Sequence, residues 1–232
     1  MKFTLSFFGL ILAMAVVSSP KLISTNLKAG DLTISQASRD LILYYEVGGA
    51  AEYVRTLQHP EVPPGASGIT IGIGCDCGYN TAAQIRDDWA GKLPPAQVER
   101  LASVAGKTQG NARAALSRVR DIRIPYDTAV EVYESRTVPR FAKLTKDTYP
   151  GVTNTNPDIQ GVMLSTTFNR GNSLSGDRRR ELRWCRDDIQ ANKVEKLSSY
   201  QLQMRRLWPT IKGLQRRYTA HAGLIDNSLA KP

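Results

Sequence analysis

The chain has 232 residues, of which 41% are hydrophobic and 22% charged, and its formal net charge is +10. This size supports one well-buried core, in one or two lobes, and is too small for two independent domains of ordinary size. The composition is ordinary for a globular protein, with no low-complexity tract. The positive charge predicts an anionic partner, the alternative being that it serves solubility alone.

The first 19 residues have the layout of an export signal. Lys2 is followed by Phe3 to Val17, about fifteen almost wholly apolar residues, which is signal-peptide length and shorter than the roughly twenty residues of a permanent membrane helix. Ser18-Ser19-Pro20 gives no A-x-A cleavage site, so a cleaved signal peptide and a releasable anchor both stay open. We expect an exported protein, secreted or periplasmic, with only transient membrane association through this segment.

Cysteine and histidine usage predicts neither a metal nor a cofactor. Cys75 and Cys77 lie in an extended stretch where their side chains diverge. With Cys185 they make an odd number, so at least one thiol is free or intermolecular; a bridge from either to Cys185 stays open. His59 and His221 are the only histidines and form no cluster with these thiols. We therefore expect no metal site.

Residues 20–34 are polar and mixed, and we interpret them as a tether. A helix is predicted to begin after Ser35, a good N-cap, and to end at Gly48-Gly49. Glu46 then falls in the last turn of this helix. The negative end of a helix disfavours a further negative charge, so a carboxyl group placed there tends to keep its proton.

The segment from Gly68 to Asp76 alternates small or polar residues with isoleucine, which is typical of a β-strand, and it is the one strand region predicted. From about Thr81 onward the pattern predicts helices, separated by short Gly, Pro or Asn breaks. These helices are predicted over residues 81–89, 96–105, 111–120, 126–136, 138–146, 157–168, 176–190, 193–207 and 214–229. The predicted fold class is α+β, mainly helical with a small β region.

Three segments, in this order, resemble the phage-type lysozymes, the muramidases with which many bacteriophages lyse their hosts. Tyr45-Glu46 followed by GITIGIG over Gly68–Gly74 is similar to the family's catalytic Glu and T-I-G-x-G hairpin. GVMLSTTFNRG over Gly161–Gly171 is similar to its buried helix ending in F-N-x-G. GLQRRYTAHAGL over Gly213–Leu224 is similar to its closing G-L-x-x-R-R-x-x-E-A helix. The match spans Ser35 to Ile225 and is most similar to the prophage and pesticin-like branch of the family.

The resemblance implies a lysozyme-like domain over residues 35–232, with an active cleft between a β-hairpin lobe and a helical body. It implies hydrolysis of the β-1,4 bond between N-acetylmuramic acid and N-acetylglucosamine in peptidoglycan. Glu46 is then the general acid and Thr70 holds the attacking water, with inversion expected at the anomeric carbon. Peptidoglycan is the expected partner of a monomer, and nucleic acid is not.

The second catalytic carboxylate is left open by departures from the family pattern. The family places an aspartate about six residues before the strand threonine, Thr70 here, and this chain has Pro64 there. Our choice is Asp76, at the end of the strand; its alternative role is a turn aspartate ahead of Gly78. Glu61, in the proline-rich loop, is the other candidate.

Substrate contacts are expected from Asn169 and Arg170, which end a helix near the cleft, with bracing of the fold as the alternative. Gly72 is expected to let the glycan approach the backbone closely. The run Arg178-Arg179-Arg180 is either a solvated helix face or a contact to the anionic wall polymer.

Two other functions stay open: a peptidoglycan-binding lysozyme-like protein without activity, and a chitinase or chitosanase. The sequence does not separate a phage lysis enzyme from a secreted antibacterial protein or a wall-remodelling enzyme.

Overall fold

The computed structural model of the chain describes residues 26–230. The predicted export segment, residues 1–19, and the first part of the predicted tether, residues 20–25, lie outside the described residues. Within the described part, none of the helices combines the length and the apolar character needed to cross a bilayer.

The tether prediction is wrong over residues 26–34. Strands β1 (Asn26–Ala29) and β2 (Leu32–Ser35) form an antiparallel hairpin there, with Gly30 in the turn at φ +58°. Leu32 is fully buried, and β2 packs against a central helix. The segment L-T-I-S alternates apolar and polar residues with the period of a strand, a pattern too short to stand out in a polar stretch.

The remaining residues confirm a mainly helical α+β organisation, in which every predicted helical segment contains a helix. The α-helices are α1 (Gln36–Val47), α2 (Ala50–Thr56), α3 (Ala82–Trp89), α4 (Pro95–Ala102), α5 (Gln109–Ala115), α6 (Tyr126–Val132), α7 (Val138–Thr148), α8 (Pro157–Arg170), α9 (Arg180–Gln190), α10 (Leu197–Met204) and α11 (Lys212–Leu229). Helix α2 was not predicted, because it is short and begins after Gly49 without a side-chain cap.

Helix α1 has the predicted ends. The Ser35 hydroxyl accepts a hydrogen bond from the Ser38 backbone N–H at 3.0 Å, and Gly48 ends the helix in the left-handed conformation at φ +70°. Helix α8 crosses α1 closely at Gly161, where a Cβ atom would lie 2.0 Å from Ser38 Oγ. Helix α11 also packs against α1, beside the last turn that carries Glu46.

The predicted strand region from Gly68 to Asp76 forms a second antiparallel hairpin, in agreement with the hairpin that the resemblance implies there. It consists of β3 (Thr70–Ile71) and β4 (Cys75–Asp76), joined by Gly72-Ile73-Gly74. Both turn glycines have positive φ, 57° and 70°, which lets the chain reverse where a regular strand would continue. The isoleucines of the segment are buried. The alternation seen in the sequence therefore reflects which side chains of the hairpin face the core.

Helix α8 lies at the centre of the domain. Its residues from Ile159 to Thr167 are all buried, and β2, α1, α7 and α11 pack around it. Ser165 on this helix therefore faces a neighbouring helix rather than solvent. A central buried helix can position polar groups precisely only if each finds a partner.

Candidate active site

Glu46 forms a largely buried ion pair at the end of α1. Its side chain is 18% exposed, and its Oε1 lies 2.6 Å from Nη2 of Arg217, whose side chain is 3% exposed. Burial raises the pKa of Glu46 above its ordinary value of 4.5, and the Arg217 charge opposes this shift without cancelling it. The sequence predicted the direction from the helix end, but burial is the larger cause.

Arg217 is held from behind by the central helix. Its Nη2 donates to the backbone oxygen of Ser165 at 3.1 Å and to the Ser165 hydroxyl at 2.8 Å. Arg217 lies within the closing-helix motif, but the motif alone predicted no role for it. Its position four residues before His221, on the buried face of α11 that also carries Tyr218, would have indicated a buried arginine.

His221 extends this network away from Glu46. The ring is fully buried, with Nε2 at 2.9 Å from Ser165 Oγ and Nδ1 at 3.1 Å from Gln201 Oε1. Burial, and then the Arg217 charge, lower the pKa of His221 well below 6.5, so the ring is neutral. Because Gln201 Oε1 can only accept, Nδ1 carries the proton and Nε2 accepts from Ser165. The Ser165 oxygen thereby turns its lone pairs toward Arg217.

Tyr133 connects Glu46 to the second hairpin. It begins a π-helical turn, Tyr133–Thr137, of a kind often found at functional sites. Burial raises the pKa of Tyr133, and the Glu46 charge adds to this. The Tyr133 ring meets Phe168 edge-on at 5.5 Å, and Phe168 Cζ lies 3.1 Å from the place of a Cβ on Gly74. Two aromatic rings thus join the hairpin turn to the neighbourhood of Glu46.

Thr70 lies between two carboxylate residues in one row of the small sheet. It pairs with Asp76 across the hairpin, and on its other side with Glu61, whose backbone exchanges hydrogen bonds with Thr70 at 2.7 and 3.1 Å. Residues directly opposite in antiparallel strands project from the same face. Glu61, Thr70 and Asp76 therefore share a face, which the nine-residue spacing between Glu61 and Thr70 did not reveal.

The two carboxylates of this row differ in their contacts. Asp76 accepts from the Gly68 N–H at 3.0 and 3.1 Å and from the Gly78 N–H at 2.8 Å, so it has the turn role considered as an alternative. Glu61 is exposed, and its carboxylate has no hydrogen bond or ion pair to any residue in 26–230. Within residues 26–230, none of Glu61, Thr70 and Asp76 forms a hydrogen bond or an ion pair with Glu46. The catalytic role of Asp76 stays a prediction.

The predicted substrate-binding residues have distinct surroundings. Gly72 is buried, and a Cβ there would lie 2.8 Å from the Trp89 ring, so its predicted contact with substrate finds no support in this packing. Asn169 Oδ1 accepts from the Tyr218 hydroxyl at 2.8 Å, and Arg170 donates to the Arg178 backbone oxygen. Asn169 and Arg170 thus brace the fold, and both also line a surface groove.

All three cysteines are free thiols. Cys77 and Cys185 are buried, and no bridge joins Cys185 to Cys75 or Cys77. The interaction of the Cys75 thiol with the neighbouring Cys77 side chain lowers the pKa of Cys75 below its ordinary value.

Comparisons with known proteins add no family assignment. A search with protein-family models finds no match to the chain, and a search of curated protein sequences finds none either. The functional interpretation therefore depends on the motif resemblance and on the geometry around Glu46 and Thr70.

Proposed function

We propose that the chain is a lysozyme-like muramidase that hydrolyses the glycan of bacterial peptidoglycan, with Glu46 as general acid. The single observation that carries this proposal is the state of Glu46: a carboxyl group with a raised pKa, partly open to solvent and fixed by a buried arginine. A general acid must hold a proton near the working pH and be oriented toward the leaving oxygen. Burial supplies the first property and Arg217 supports the second.

The attacking water is assigned to the second hairpin. Inverting glycosidases use a second group, on the opposite side of the scissile bond, to orient or deprotonate water. Thr70 offers a hydroxyl for this task, and it lies between two carboxylate residues. Because Asp76 is occupied by backbone N–H groups, Glu61 is the better placed of the two to accept a proton from water. The active cleft of this proposal runs between the end of α1 and the hairpin.

The test is the substitution Glu46→Gln, which keeps the size of the side chain and removes the acid. We expect clearing of a peptidoglycan suspension to fall by about 100-fold or more. The matched control is Glu52→Gln, on a half-exposed glutamate of α2 that pairs with Arg55, and it should keep wild-type activity. Mass spectrometry of the released muropeptides identifies the bond cut, and thermal unfolding confirms that both variants fold.

Full activity in Glu46→Gln contradicts the proposal. Pro64 in the family's aspartate position favours one second candidate, a wall-binding protein without activity. That candidate predicts that the wild type binds purified sacculi and releases no reducing ends. Release of products from chitin or chitosan, but not from peptidoglycan, would instead assign the chain to a different glycosidase.

A further inference from the structure

An arginine-rich region lies in the loop between α8 and α9. The loop and its neighbours enclose a surface groove of about 610 Å³. The groove is lined by Asn169, Arg170, Ser173, Ser175, Gly176, Asp177, Arg178, Arg179 and Trp208. Arginine guanidinium groups also hold the loop, since Arg183 Nη1 donates to the backbone oxygens of Leu174 and Gly176 at 2.7 and 2.8 Å. The groove is therefore a built feature of the domain.

The charges of this groove are unbalanced. Its one carboxylate, Asp177, is shared with two arginines outside the lining, Arg180 at 4.0 Å and Arg206 at 3.4 Å. Arg178 and Arg179 have no ion-pair partner within residues 26–230, and Arg178 is exposed. The groove thus presents uncompensated positive charge to solvent.

Arg170 is the inner residue of the groove, and one of its donors is unused. The residue is 6% exposed, and its Nη1 has no hydrogen-bond partner among the described residues. Its Nη2 donates to the Arg178 backbone, and its guanidinium lies 5.2 Å from the centre of the Trp208 ring. A buried guanidinium donor without an acceptor is costly to maintain. Arg170 lines the groove but its Nη1 is shielded from solvent, so an anion in the groove supplies the acceptor once the Arg170 side chain turns toward it.

We propose that this groove binds an oxyanion, a carboxylate or a phosphate, with Arg170 as the inner ligand and Arg178 and Arg179 at the mouth. Planar guanidinium groups suit both anions, because their paired N–H donors match two oxygens of one group. Ser173 and Ser175 add hydroxyl donors at the rim. The ligand class is an acidic group on a saccharide, either a peptide carboxylate on the wall glycan or a wall-polymer phosphate. The saccharide part of this identification rests on the proposed function.

Binding can be measured without hydrolysis, by NMR of the arginine side-chain Nε–Hε signals in ¹⁵N-labelled protein. The probes are inorganic phosphate, an N-acetylmuramoyl dipeptide with a free carboxylate, and the same dipeptide as its amide. We expect the Arg170 signal to shift saturably with phosphate, with the carboxylate probe or with both, and not with the amide. A response to one anion alone identifies the source of the acidic group.

The matched variants separate a site from general charge. Arg178→Gln combined with Arg179→Gln should weaken binding at least about 10-fold, since two of three guanidinium ligands are lost. Arg113→Gln combined with Arg120→Gln removes the same charge from exposed positions elsewhere and should leave binding unchanged. No saturable shift with either anion, or equal weakening in both double variants, overturns the proposal. An active Glu46→Gln variant would refute the muramidase without changing these binding results.

Discussion

Glu46 and Thr70, the two sides of the proposed cleft, are held in place by different kinds of contact. Glu46 depends on side chains from distant parts of the chain: Arg217 on α11 and, behind it, Ser165 on α8. Thr70 depends on backbone hydrogen bonds to Glu61 and on the hairpin pairing with Asp76. The first side is a buried charge network, and the second is a small sheet near the surface.

The difference separates two tasks of a general acid–base site. Burial raises the pKa of the acid and the buried cation beside it limits the rise, because each charge near a desolvated carboxyl shifts the balance between its protonated and ionised forms. The hairpin fixes the position of Thr70 through backbone hydrogen bonds, which do not depend on the identity of most side chains. Single substitutions should therefore be far more damaging to the Glu46 network than to the hairpin.

The largest effect is expected for Arg217→Met, which removes the buried cation and keeps an unbranched side chain. Breaking a buried ion pair in this way should lower the free energy of unfolding at pH 7 by about 3–5 kcal/mol. The loss should shrink as the pH falls below 4.5, the ordinary pKa of a glutamate, because Glu46 is then protonated in both the folded and unfolded states. Urea unfolding at pH 7 and pH 4 measures both values.

The control for this prediction is Arg86→Met, which removes a cation from an ion pair with Glu99 in which both side chains are at least half exposed. An exposed pair contributes little, so no measurable change is expected. If Arg217→Met is no more destabilising than this control, the buried network does not stabilise the Glu46 side of the cleft. A loss independent of pH would instead assign the effect to packing.

Smaller effects are expected on the hairpin, where Asp76→Ala and Asp76→Asn separate bracing from chemistry. Asp76→Ala should cost about 0.5–2 kcal/mol, as for other capping residues. Asp76→Asn keeps Oδ1, which accepts from both Gly68 and Gly78, so it should retain stability. It should also retain activity, whereas Glu61→Gln should lose at least about 100-fold if Glu61 activates the water.

Wall-clearing assays on the three purified variants provide the measurement. An inactive but stable Asp76→Asn, beside an active Glu61→Gln, would restore Asp76 as the second carboxylate and remove Glu61. That result would also show that a residue fully engaged with the backbone can still take part in catalysis.

Local sequence was sufficient to predict the parts of the site that depend on neighbouring residues. Ser35 caps α1 through contacts three residues away, and Gly48 ends it through its own backbone conformation, so the position of Glu46 followed directly. The alternation around Thr70 likewise indicated extended structure. The alternating pattern alone did not predict the turn, because Gly72 and Gly74 reverse the chain inside a segment whose pattern suits one continuous strand.

Other parts of the structure that sequence did not predict depend on pairing between segments that no local pattern links. Arg217 meets Glu46 across 171 positions of the chain, and no local periodicity links them. Glu61 is paired with Thr70 by a single backbone bridge in a proline-rich segment that has no strand pattern. The N-terminal hairpin was missed because its stability comes from packing on α8, which a four-residue strand does not display in its own sequence.

The smallest predicted effect concerns the tuning of Glu46 by residues that do not touch it. Ser165→Ala removes the hydroxyl that accepts from Arg217 and donates to His221, leaving the backbone oxygen as the remaining anchor of Arg217 on α8. A less firmly held Arg217 stabilises the Glu46 carboxylate less, so the pKa of Glu46 should rise further. Because a general acid works only when protonated, activity falls as the pH rises through this pKa.

The basic limb of the pH–activity profile should therefore lie above pH 4.5 in the wild type and move to still higher pH in Ser165→Ala. The shift should be less than about one pH unit, since one hydrogen bond contributes about 1 kcal/mol and one pKa unit corresponds to about 1.4 kcal/mol. Thr167→Val is the matched control: its buried hydroxyl lies on the same helix and, within residues 26–230, bonds only to the Met163 backbone oxygen. A downward shift in Ser165→Ala, or an equal shift in the control, would mean that Arg217 is not positioned through Ser165. The acid would then be tuned by burial and by the Arg217 charge alone, and the Glu46 side of the cleft would depend on fewer side chains than its geometry indicates.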